Sequence, residues 1–224
     1  MPRPDRRPPP NVAVMPVPRR PARAGRARPL PRAFYERPAP AVARDLLGCL
    51  LVSRLGGAMT AGWIVETEAY LGPEDAASHA AFRPGARPLL YGRGGIAYVF
   101  LAYGLHACLN AVAGPAGAPG CVLIRALAPA RGLATMAARR HLAPGARGLA
   151  DGPAKLTEAL GITLAENGAD LTRGRLTIRE RRPAAGARPP AVAVGRRVGI
   201  TRATDLPLRF WIRGDPHVSR PRPE

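Results

Sequence analysis

Three side chains that could take part in acid–base chemistry alternate along one short segment: Glu66, Glu68 and Tyr70. The segment 62–70 is rich in β-forming residues and predicts a strand, in which every second side chain shares a face. Two carboxylates at i and i+2 lie roughly 7 Å apart, a spacing at which glycoside hydrolases activate a water molecule. A solvated strand face explains the same alternation, so this pair alone leaves both explanations open.

Arg125 is a charged side chain within the otherwise apolar segment 121–127, which predicts a buried strand. A guanidinium in such a place needs a carboxylate, a phosphate or carbonyl groups to complete its hydrogen bonding. Glu68 is the candidate partner. The two segments are therefore expected to lie side by side in one sheet.

An aromatic residue, Tyr103, stands where a polar turn residue is expected. The segments 96–102 and 106–112 predict two strands, and Tyr103-Gly104 lies between them as the tip of a hairpin. A ring at the tip of a rigid hairpin can act as a wedge between stacked bases. Packing of the ring against a neighbouring loop is the alternative.

Asn110 lies inside an apolar run, where a buried amide needs hydrogen-bond partners. It either braces the backbone or contacts the edge of a ligand. Phe100 and Asn110 share a sheet face only if the hairpin loop has an odd number of residues, because side chains alternate with period two. His79 lies in the polar segment 76–79, where a surface histidine is the ordinary explanation.

These residues are positioned by a mixture of strands and a few helices without regular βαβ alternation, which predicts an α+β domain. We expect helices at 41–48, 133–141 and 155–160. We expect strands at 49–52, 62–70, 96–102, 106–112, 121–127, 198–200 and 208–212, with loops at 71–95 and 181–196.

The composition excludes several classes of protein. In 224 residues the apolar share is 46%, and no run reaches the roughly 20 apolar residues of a membrane helix. The three cysteines form no Cys-x-x-Cys pair and have no neighbouring histidine. They predict free thiols in a reducing compartment, with neither a zinc site nor a disulfide framework. These cysteines are Cys49, Cys108 and Cys121.

The formal net charge of +19 favours a polyanionic partner, nucleic acid first and an anionic membrane surface second. Part of this charge is also explained by G+C-rich codons, since the basic residues other than Lys155 are arginine. Residues 1–33 form a proline- and arginine-rich tail that we expect to be disordered. The tail is either a basic arm that holds DNA loosely or a dispensable extension. Residues 220–224 form a second short tail.

Six segments in a fixed order give the body of the chain a recognisable pattern. They are IVETEAYLGPEDAASHA (64–80), AYVFLAYGLHACLN (97–110), CVLIRALAP (121–129), DGPAKL (151–156), RVGI (197–200) and LRFWIRGDPHVS (208–219). Together they resemble the 3-methyladenine DNA glycosylases of the alkyladenine glycosylase family. The resemblance covers residues 34–219, except the loop 181–196, which we expect to be flexible.

The resemblance implies a single α+β domain around a curved antiparallel sheet, with a protruding hairpin that enters the DNA minor groove. It implies a monofunctional enzyme that flips an alkylated purine out of the duplex and hydrolyses its N-glycosidic bond. Glu68 then matches the general base that activates the attacking water. Arg125 and the main-chain carbonyl of Val198 match the groups that position this water.

The remaining site residues are also implied by the resemblance. Tyr70, His79 and Phe100 match the walls of the base pocket, and Asn110 matches the residue near the purine edge that helps exclude guanine. Tyr103 matches the ring that fills the gap left by the flipped nucleotide. Many family members have tyrosine where this chain has Phe100, so stacking is retained while a hydroxyl hydrogen bond is lost. Neutral substrates such as hypoxanthine are the ones this change affects.

The expected partner is double-stranded DNA with damaged purines, bound by a monomer without a cofactor, a metal or a membrane. Lys155 is the sole lysine and has no paired acid near it in sequence, so Schiff-base lyase chemistry is not expected. The arginine, alanine and proline bias fits the cytoplasm of a G+C-rich bacterium.

Two other classes of protein remain as alternatives. A non-enzymatic nucleic-acid-binding protein explains the charge but not Glu68 and Arg125, and it would be unaffected by Glu68→Gln. A carbohydrate-directed glycosidase explains Glu66 and Glu68 but not the arginine-rich surface. Its activity would show no steep dependence on salt, whereas DNA affinity falls strongly as salt is added.

Overall fold

The computed structural model describes residues 27–181 and 189–220, and its main feature is one antiparallel sheet of eight strands within these residues. The apolar segments identified in the sequence form most of these strands. The strands are β1 (Leu50–Ser53), β2 (Thr60–Tyr70), β3 (Ala97–Ala102), β4 (His106–Val112), β5 (Cys121–Arg131), β6 (Leu176–Arg179), β7 (Val192–Gly195) and β8 (Arg209–Ile212).

Short helices connect and cover the strands in the described part of the chain. They are α1 (Arg32–Tyr35), α2 (Ala39–Asp45), α3 (His79–Phe82), α4 (Arg87–Leu90), α5 (Leu133–Arg139) and α6 (Pro153–Leu160), with 3₁₀ turns at Pro84–Ala86 and Leu164–Glu166. Prolines occupy the first turn of α2, α4 and α6, where a missing N–H costs nothing. None of these helices is long and apolar enough to cross a membrane.

β2 is the centre of the sheet, whose strand order is β3-β4-β5-β2-β1-β6. One edge of β2 pairs with β5 along most of its length. The other edge pairs with β1 in its first half and with β8 over Glu66–Glu68. The second half of β2 is therefore held between β5 and β8, and the α+β expectation with a curved antiparallel sheet is confirmed.

An irregularity in β2 decides which of its side chains leave the core. The pair Ile64–Leu127 is followed by the pair Glu66–Ala126, so Val65 is one residue without a counterpart in β5. Such a bulge interrupts the alternation of side chains. Ile64 accordingly packs in the main core, whereas Glu66, two residues later, lies in a polar cluster outside it.

A second irregularity follows directly in β5. Ala126 pairs with Glu66 and Ile124 pairs with Thr67, so Arg125 is in turn the residue without a counterpart. The two bulges compensate each other, and the register beyond them is regular. Arg125 projects from the second bulge towards Glu66, which is how a guanidinium enters a strand that is otherwise apolar.

The main hydrophobic core lies on the face of the sheet covered by α2, α5 and α6. Val42, Met136 and Leu156 from these helices are fully buried against strand residues such as Ile124. Thr67 satisfies its hydroxyl on this face by donating to the carbonyl of Ala43 at 2.8 Å. The opposite face carries the polar residues identified in the sequence and a smaller cluster built on α3 and α4.

Several boundaries differ from the sequence-based expectation. Residues 27–33 do not behave as a tail, because Leu30 is buried and its N–H donates to the carbonyl of Ile178 at 2.9 Å. Residues 1–26 lie outside the described residues, as do 182–188 of the expected loop and 221–224. Within that loop, Val192–Gly195 forms a strand because it pairs with β8.

Other corrections concern local structure. Residues 198–200 form a turn and not a strand, and the expected loop 71–95 contains two helices. β6 was missed because its four residues show no long alternation. The three cysteines are buried and unpaired, as expected. Lys155, contrary to expectation, has an acidic neighbour: its Nζ lies 2.8 Å from Asp151 Oδ1.

Candidate active site

Glu68 is fully buried and receives hydrogen bonds on both carboxylate oxygens. Its Oε1 accepts from the main-chain N–H of Val198 at 2.7 Å and lies 3.2 Å from Nη1 of Arg125. Its Oε2 accepts from the hydroxyl of Tyr70 at 2.9 Å. The sequence-based pairing of Arg125 with Glu68 is therefore present, and the solvated strand face is excluded.

Burial dominates the electrostatics of this carboxylate. It raises the pKa of Glu68 above the ordinary glutamate value, while Arg125, the Val198 N–H and the Tyr70 hydroxyl lower it by less. Burial also opposes the charge of Arg125, but the neighbouring Glu68 and Glu66 outweigh it and raise the pKa of this guanidinium. A carboxylate with a raised pKa is a stronger base once it is deprotonated.

Arg125 uses its whole guanidinium within this cluster. Nε donates to Glu66 Oε1 at 2.9 Å and Nη2 to Ser219 Oγ at 3.3 Å. Nη1 donates to the carbonyl of Val198 at 3.4 Å and also faces Glu68. Arg125 therefore joins the two carboxylates of β2 to two later segments of the chain.

Val198 reaches Glu68 because the turn that carries it is anchored by its neighbour Arg197. The guanidinium of Arg197 forms two hydrogen bonds with Asp75, at 2.6 and 2.8 Å, and both side chains are fully buried. It also lies over the ring of Tyr70, 4.7 Å from the centroid. The pair holds the loop after β2 and the loop before β8 together beside Glu68.

A pocket of about 720 Å³ opens in front of this cluster. Tyr70, Arg125 and Val198, the three residues bonded to Glu68, belong to its wall, so Glu68 lies directly behind the pocket surface. The aromatic and polar wall residues used below are His79, Phe82, Tyr98, Phe100 and Asn110. Lysine is absent from the described residues that line the pocket.

The number of residues in the β3–β4 hairpin loop determines which side chains line the pocket. Ala102 pairs with His106, which leaves three residues in the loop. Tyr98 consequently stands opposite Asn110, and Phe100 and Asn110 share the pocket face. The parity condition set by the sequence is met.

His79 belongs to the pocket rather than to the open surface. It occupies the first position of α3, and its ring centroid lies 4.4 Å from that of Phe100 at an interplanar angle of 64°. Burial, with a smaller contribution from Arg83, lowers the pKa of His79 to about 4. The imidazole is therefore neutral at pH 7, and its Nδ1 lies 2.7 Å from the hydroxyl of Tyr98.

Asn110 braces the backbone, one of the two explanations left open by the sequence, and it also lines the pocket. Its Nδ2 donates to the carbonyl of Tyr98 at 3.1 Å, and its Oδ1 lies 3.8 Å from the thiol of Cys121. The amide is 2% exposed. Its orientation is fixed by these contacts before any ligand enters.

Tyr103 stands at the tip of the β3–β4 hairpin and is 86% exposed. Its backbone adopts φ = 51°, a left-handed conformation that few non-glycine residues adopt. Packing against a neighbouring loop does not account for a ring with this exposure. Leu105, in the same turn, is 77% exposed.

The sequence did not single out three parts of the site. Glu66 was noted only as half of an acidic pair, yet it is the partner of Arg125 Nε. Tyr98 stacks beside Phe100, with ring centroids 5.6 Å apart, and its position two residues earlier on the same strand was the available signal. The Asp75–Arg197 pair joins residues 122 positions apart, which no local pattern reveals.

Comparison with known proteins identifies the family of the chain. Residues 33–216 match the family model of the methylpurine-DNA glycosylases. The chain belongs to this family. It is a DNA glycosylase, an enzyme of DNA repair that acts on alkylated bases in damaged DNA.

Individual methylpurine-DNA glycosylase relatives match nearly the whole body of the chain. A protein of Methanoculleus marisnigri, provisionally named a 3-methyladenine DNA glycosylase, is 48% identical over 191 residues, which cover 85% of this chain and 98% of the relative. A protein of Koribacter versatilis with the same provisional name is 46% identical, over 87% of this chain and 94% of its own. A third, from Myxococcus xanthus, is 43% identical over 87% and 95%.

Proposed function

We propose that this glycosylase removes 3-methyladenine-type purines by hydrolysis with a water molecule activated by Glu68. The observation that carries the proposal is a buried carboxylate placed directly behind an aromatic pocket and bonded to three residues of its wall. The second carboxylate of the strand, Glu66, accepts four hydrogen bonds from side chains and backbone. This saturation argues against a carbohydrate glycosidase with two free carboxylates.

The pocket wall fits an electron-poor purine that has been flipped out of the helix. Phe100 offers a ring for stacking, and a purine made cationic by alkylation is attracted to its π-face. His79 is neutral at pH 7 and therefore adds no positive charge against such a base. Flipping costs a few kcal/mol and costs least where alkylation has weakened the base pair, which contributes to selectivity.

The chemical step needs little from the protein besides a base. The N-glycosidic bond breaks with its electron pair moving into the cationic purine, which leaves as a neutral base. The sugar passes through an oxocarbenium-like transition state stabilised by the negative charge of Glu68. Water bonds to C1′ while Glu68 takes one of its protons, and Arg125 with the carbonyl of Val198 orients this water. The products are a free methylated purine and an abasic site.

Asn110 gives the pocket a means of rejecting normal guanine. Its amide is fixed by the contact with the Tyr98 carbonyl, so it does not rotate to accommodate a mismatched edge. The exocyclic 2-amino group of guanine would meet this fixed side chain, whereas adenine has no group at that position. A buried polar contact left unsatisfied costs about 1–3 kcal/mol, enough to slow guanine release strongly.

The hairpin and the surface charge support binding to duplex DNA on the minor-groove side. The exposed ring of Tyr103 would enter the stack where the flipped nucleotide has left. Arg83 and Arg202 are exposed residues of the pocket wall and are available to phosphates around the flipped base. With a net charge of +19, a monomer should lose DNA affinity steeply as salt increases.

Release of methylated purines from alkylated duplex DNA tests the proposal, with wild type compared to Glu68→Gln. Glu158→Gln is the matched control, because it removes the same charge at a distant position. Glu158 lies on α6, its side chain is 43% exposed, and it forms an ion pair with Arg140. We expect release by wild type and the control, and almost none by Glu68→Gln. Equal release by all three would remove Glu68 as the base. DNA binding without release by any of them would overturn the proposal.

A further inference from the structure

Glu66 is a buried carboxylate that accepts four hydrogen bonds, and the proposed reaction leaves it without a role. It is fully buried, and its Oε1 accepts from Nε of Arg125 at 2.9 Å and Nε of Arg209 at 2.7 Å. The hydroxyl of Ser219 donates to the same oxygen at 2.9 Å, and the Ser219 N–H donates to Oε2 at 2.6 Å. All four hydrogen bonds therefore come from two arginines and one serine, three of them to Oε1 and one to Oε2.

These bonds fix the plane of the Arg125 guanidinium. A guanidinium is rigid and planar, so holding Nε and Nη2 determines where Nη1 points. Glu66 holds Nε, and Ser219, itself held by Glu66, accepts from Nη2 at 3.3 Å. Nη1 is thereby directed at Glu68 and the carbonyl of Val198.

We propose that Glu66 is a positioning residue for the glycosylase reaction, which acts through Arg125 and ties Ser219 to the catalytic centre. The inference rests on the proposed role of Glu68 as the base. Glu66 never contacts the substrate in this account. It fixes the guanidinium that orients the attacking water, and it sets the charge balance around Glu68.

The charge balance follows from the groups that face the two carboxylates. Arg125 is shared between Glu66 and Glu68, and Arg209 adds a second cation on the side of Glu66. The groups that influence Glu68 are Glu66 and Tyr70 on β2, Arg125 on β5, Cys108 on β4 and Arg197 in the turn before β8. Neutralising Glu66 leaves Arg125 to Glu68 alone and removes a negative neighbour, so Glu68 deprotonates more readily and becomes a weaker base.

The segment that follows β8 belongs to the same hydrogen-bond network through Ser219. Ser219 contributes its N–H and its hydroxyl to Glu66, and its carbonyl accepts from Nη2 of Arg209 at 3.4 Å. This closes a ring of buried bonds around Glu66. The segment after β8 therefore stabilises the orientation of a side chain on β5 that acts at the pocket.

The test is the pH dependence of single-turnover release of 3-methyladenine from methylated duplex DNA, with enzyme in excess. For Glu66→Gln we expect a rate about 10- to 100-fold below wild type at neutral pH, as for a misplaced catalytic group. We expect the acidic limb of its rate–pH profile to lie at lower pH than in wild type. We expect its DNA affinity to be unchanged. Glu66→Asp keeps the charge, so its limb should stay near the wild-type position. Glu158→Gln is the control for loss of a carboxylate elsewhere.

Ser219→Ala provides a second measurement because it leaves the buried ions paired. It removes only the hydroxyl shared by Glu66 and Arg125. We expect a several-fold lower rate with the thermal stability nearly retained. This variant decides the matter if Glu66→Gln fails to fold, since a wild-type rate in Ser219→Ala would then overturn the inference.

The outcomes separate this inference from the proposed function. Wild-type rates and pH profile in a folded Glu66→Gln overturn the inference and leave Glu68 as the base. A Glu66→Gln enzyme that is inactive at every pH, beside an active Glu68→Gln enzyme, overturns both, because Glu66 would then be the base. A slow Glu66→Gln with a shifted limb, beside an inactive Glu68→Gln, supports both.

Discussion

Nη1 of Arg125 lies 3.2 Å from Oε1 of Glu68, while Nε of the same guanidinium donates to Oε1 of Glu66 at 2.9 Å. Arg125 is the residue without a counterpart in β5, and its side chain lies on the polar face of β2 with both carboxylates. A permanent positive charge thus lies beside a carboxylate whose pKa is raised by burial, and it opposes part of that rise.

Removing the hydroxyl of Tyr70 should shift the pH dependence of the reaction. This hydroxyl donates to Oε2 of Glu68 and lowers its pKa. In Tyr70→Phe the pKa of Glu68 therefore rises further, and the acidic limb of the single-turnover rate should move to higher pH, opposite to the shift expected for Glu66→Gln. The pH profile of base release checks this. A limb at the wild-type position would show that the hydrogen bond has no influence on the base.

Loss of the ring at position 100 should weaken recognition of the flipped base. Phe100→Leu keeps an apolar side chain but removes stacking, which contributes about 1–3 kcal/mol per base, or about 5- to 150-fold in the single-turnover rate at subsaturating enzyme. Phe100→Tyr is the matched control because it keeps the ring. Single-turnover kinetics at several enzyme concentrations measure both. Full activity of Phe100→Leu would exclude stacking on this residue.

Replacing Tyr103 should affect activity on duplex DNA and leave the fold intact. The ring is 86% exposed, so Tyr103→Ala should change the free energy of unfolding by less than about 0.5 kcal/mol. Excision from duplex DNA should fall much more than excision from a methylated single strand, where no gap has to be filled. Leu105→Ala, in the same turn, is the control and should lose less. Equal losses on both substrates would argue against intercalation.

The Asp75–Arg197 pair should make a pH-dependent contribution to stability. Burial opposes the charge of Asp75, but the hydrogen bonds from Arg197 outweigh it, and the pKa of Asp75 is lowered. A lowered pKa stabilises the fold above the ordinary aspartate pKa, and this stabilisation is lost as the pH falls through the lowered value. Asp75→Asn leaves a buried guanidinium unpaired and should cost about 3–5 kcal/mol at pH 7.

Urea unfolding of wild type and Asp75→Asn at pH 7 and in acid measures this contribution. The difference in the free energy of unfolding should shrink as the pH falls. Asp45→Asn is a suitable control, since its ion pair with Arg37 lies on the surface and should contribute less than about 1 kcal/mol. A difference that stays constant with pH would contradict the assignment.

Much of the fold was predictable because long apolar segments with period-two alternation form the central strands. The sequence predicted that Phe100 and Asn110 share a face if the hairpin loop has an odd number of residues, and the loop has three. The sequence could not reveal the bulges at Val65 and Arg125, since a bulge is a property of a pair of strands. It also could not show that the turn at Val198, expected to be a strand, is held by a partner 122 residues before Arg197.

The proposed roles of the site residues came from the resemblance and not from local patterns. Glu66 and Glu68 are indistinguishable in sequence, since both are glutamates on one face of β2. They differ in what surrounds them: Arg125, Arg209 and Ser219 converge on Glu66, whereas Glu68 is held by residues of the pocket wall. The residues around Glu66 come from β5, β8 and the segment after β8, so no local sequence pattern distinguishes the two glutamates.

The most direct measurement is the pH dependence of single-turnover purine release from methylated duplex DNA by wild type and Glu68→Gln, each in saturating excess over the DNA. We expect the wild-type rate to rise with pH through an ionisation above the ordinary glutamate pKa, since burial raises the pKa of Glu68. Glu68→Gln should be slow and independent of pH in that range. The same rise in Glu68→Gln, at a rate near wild type, would contradict the assignment of Glu68 as the base.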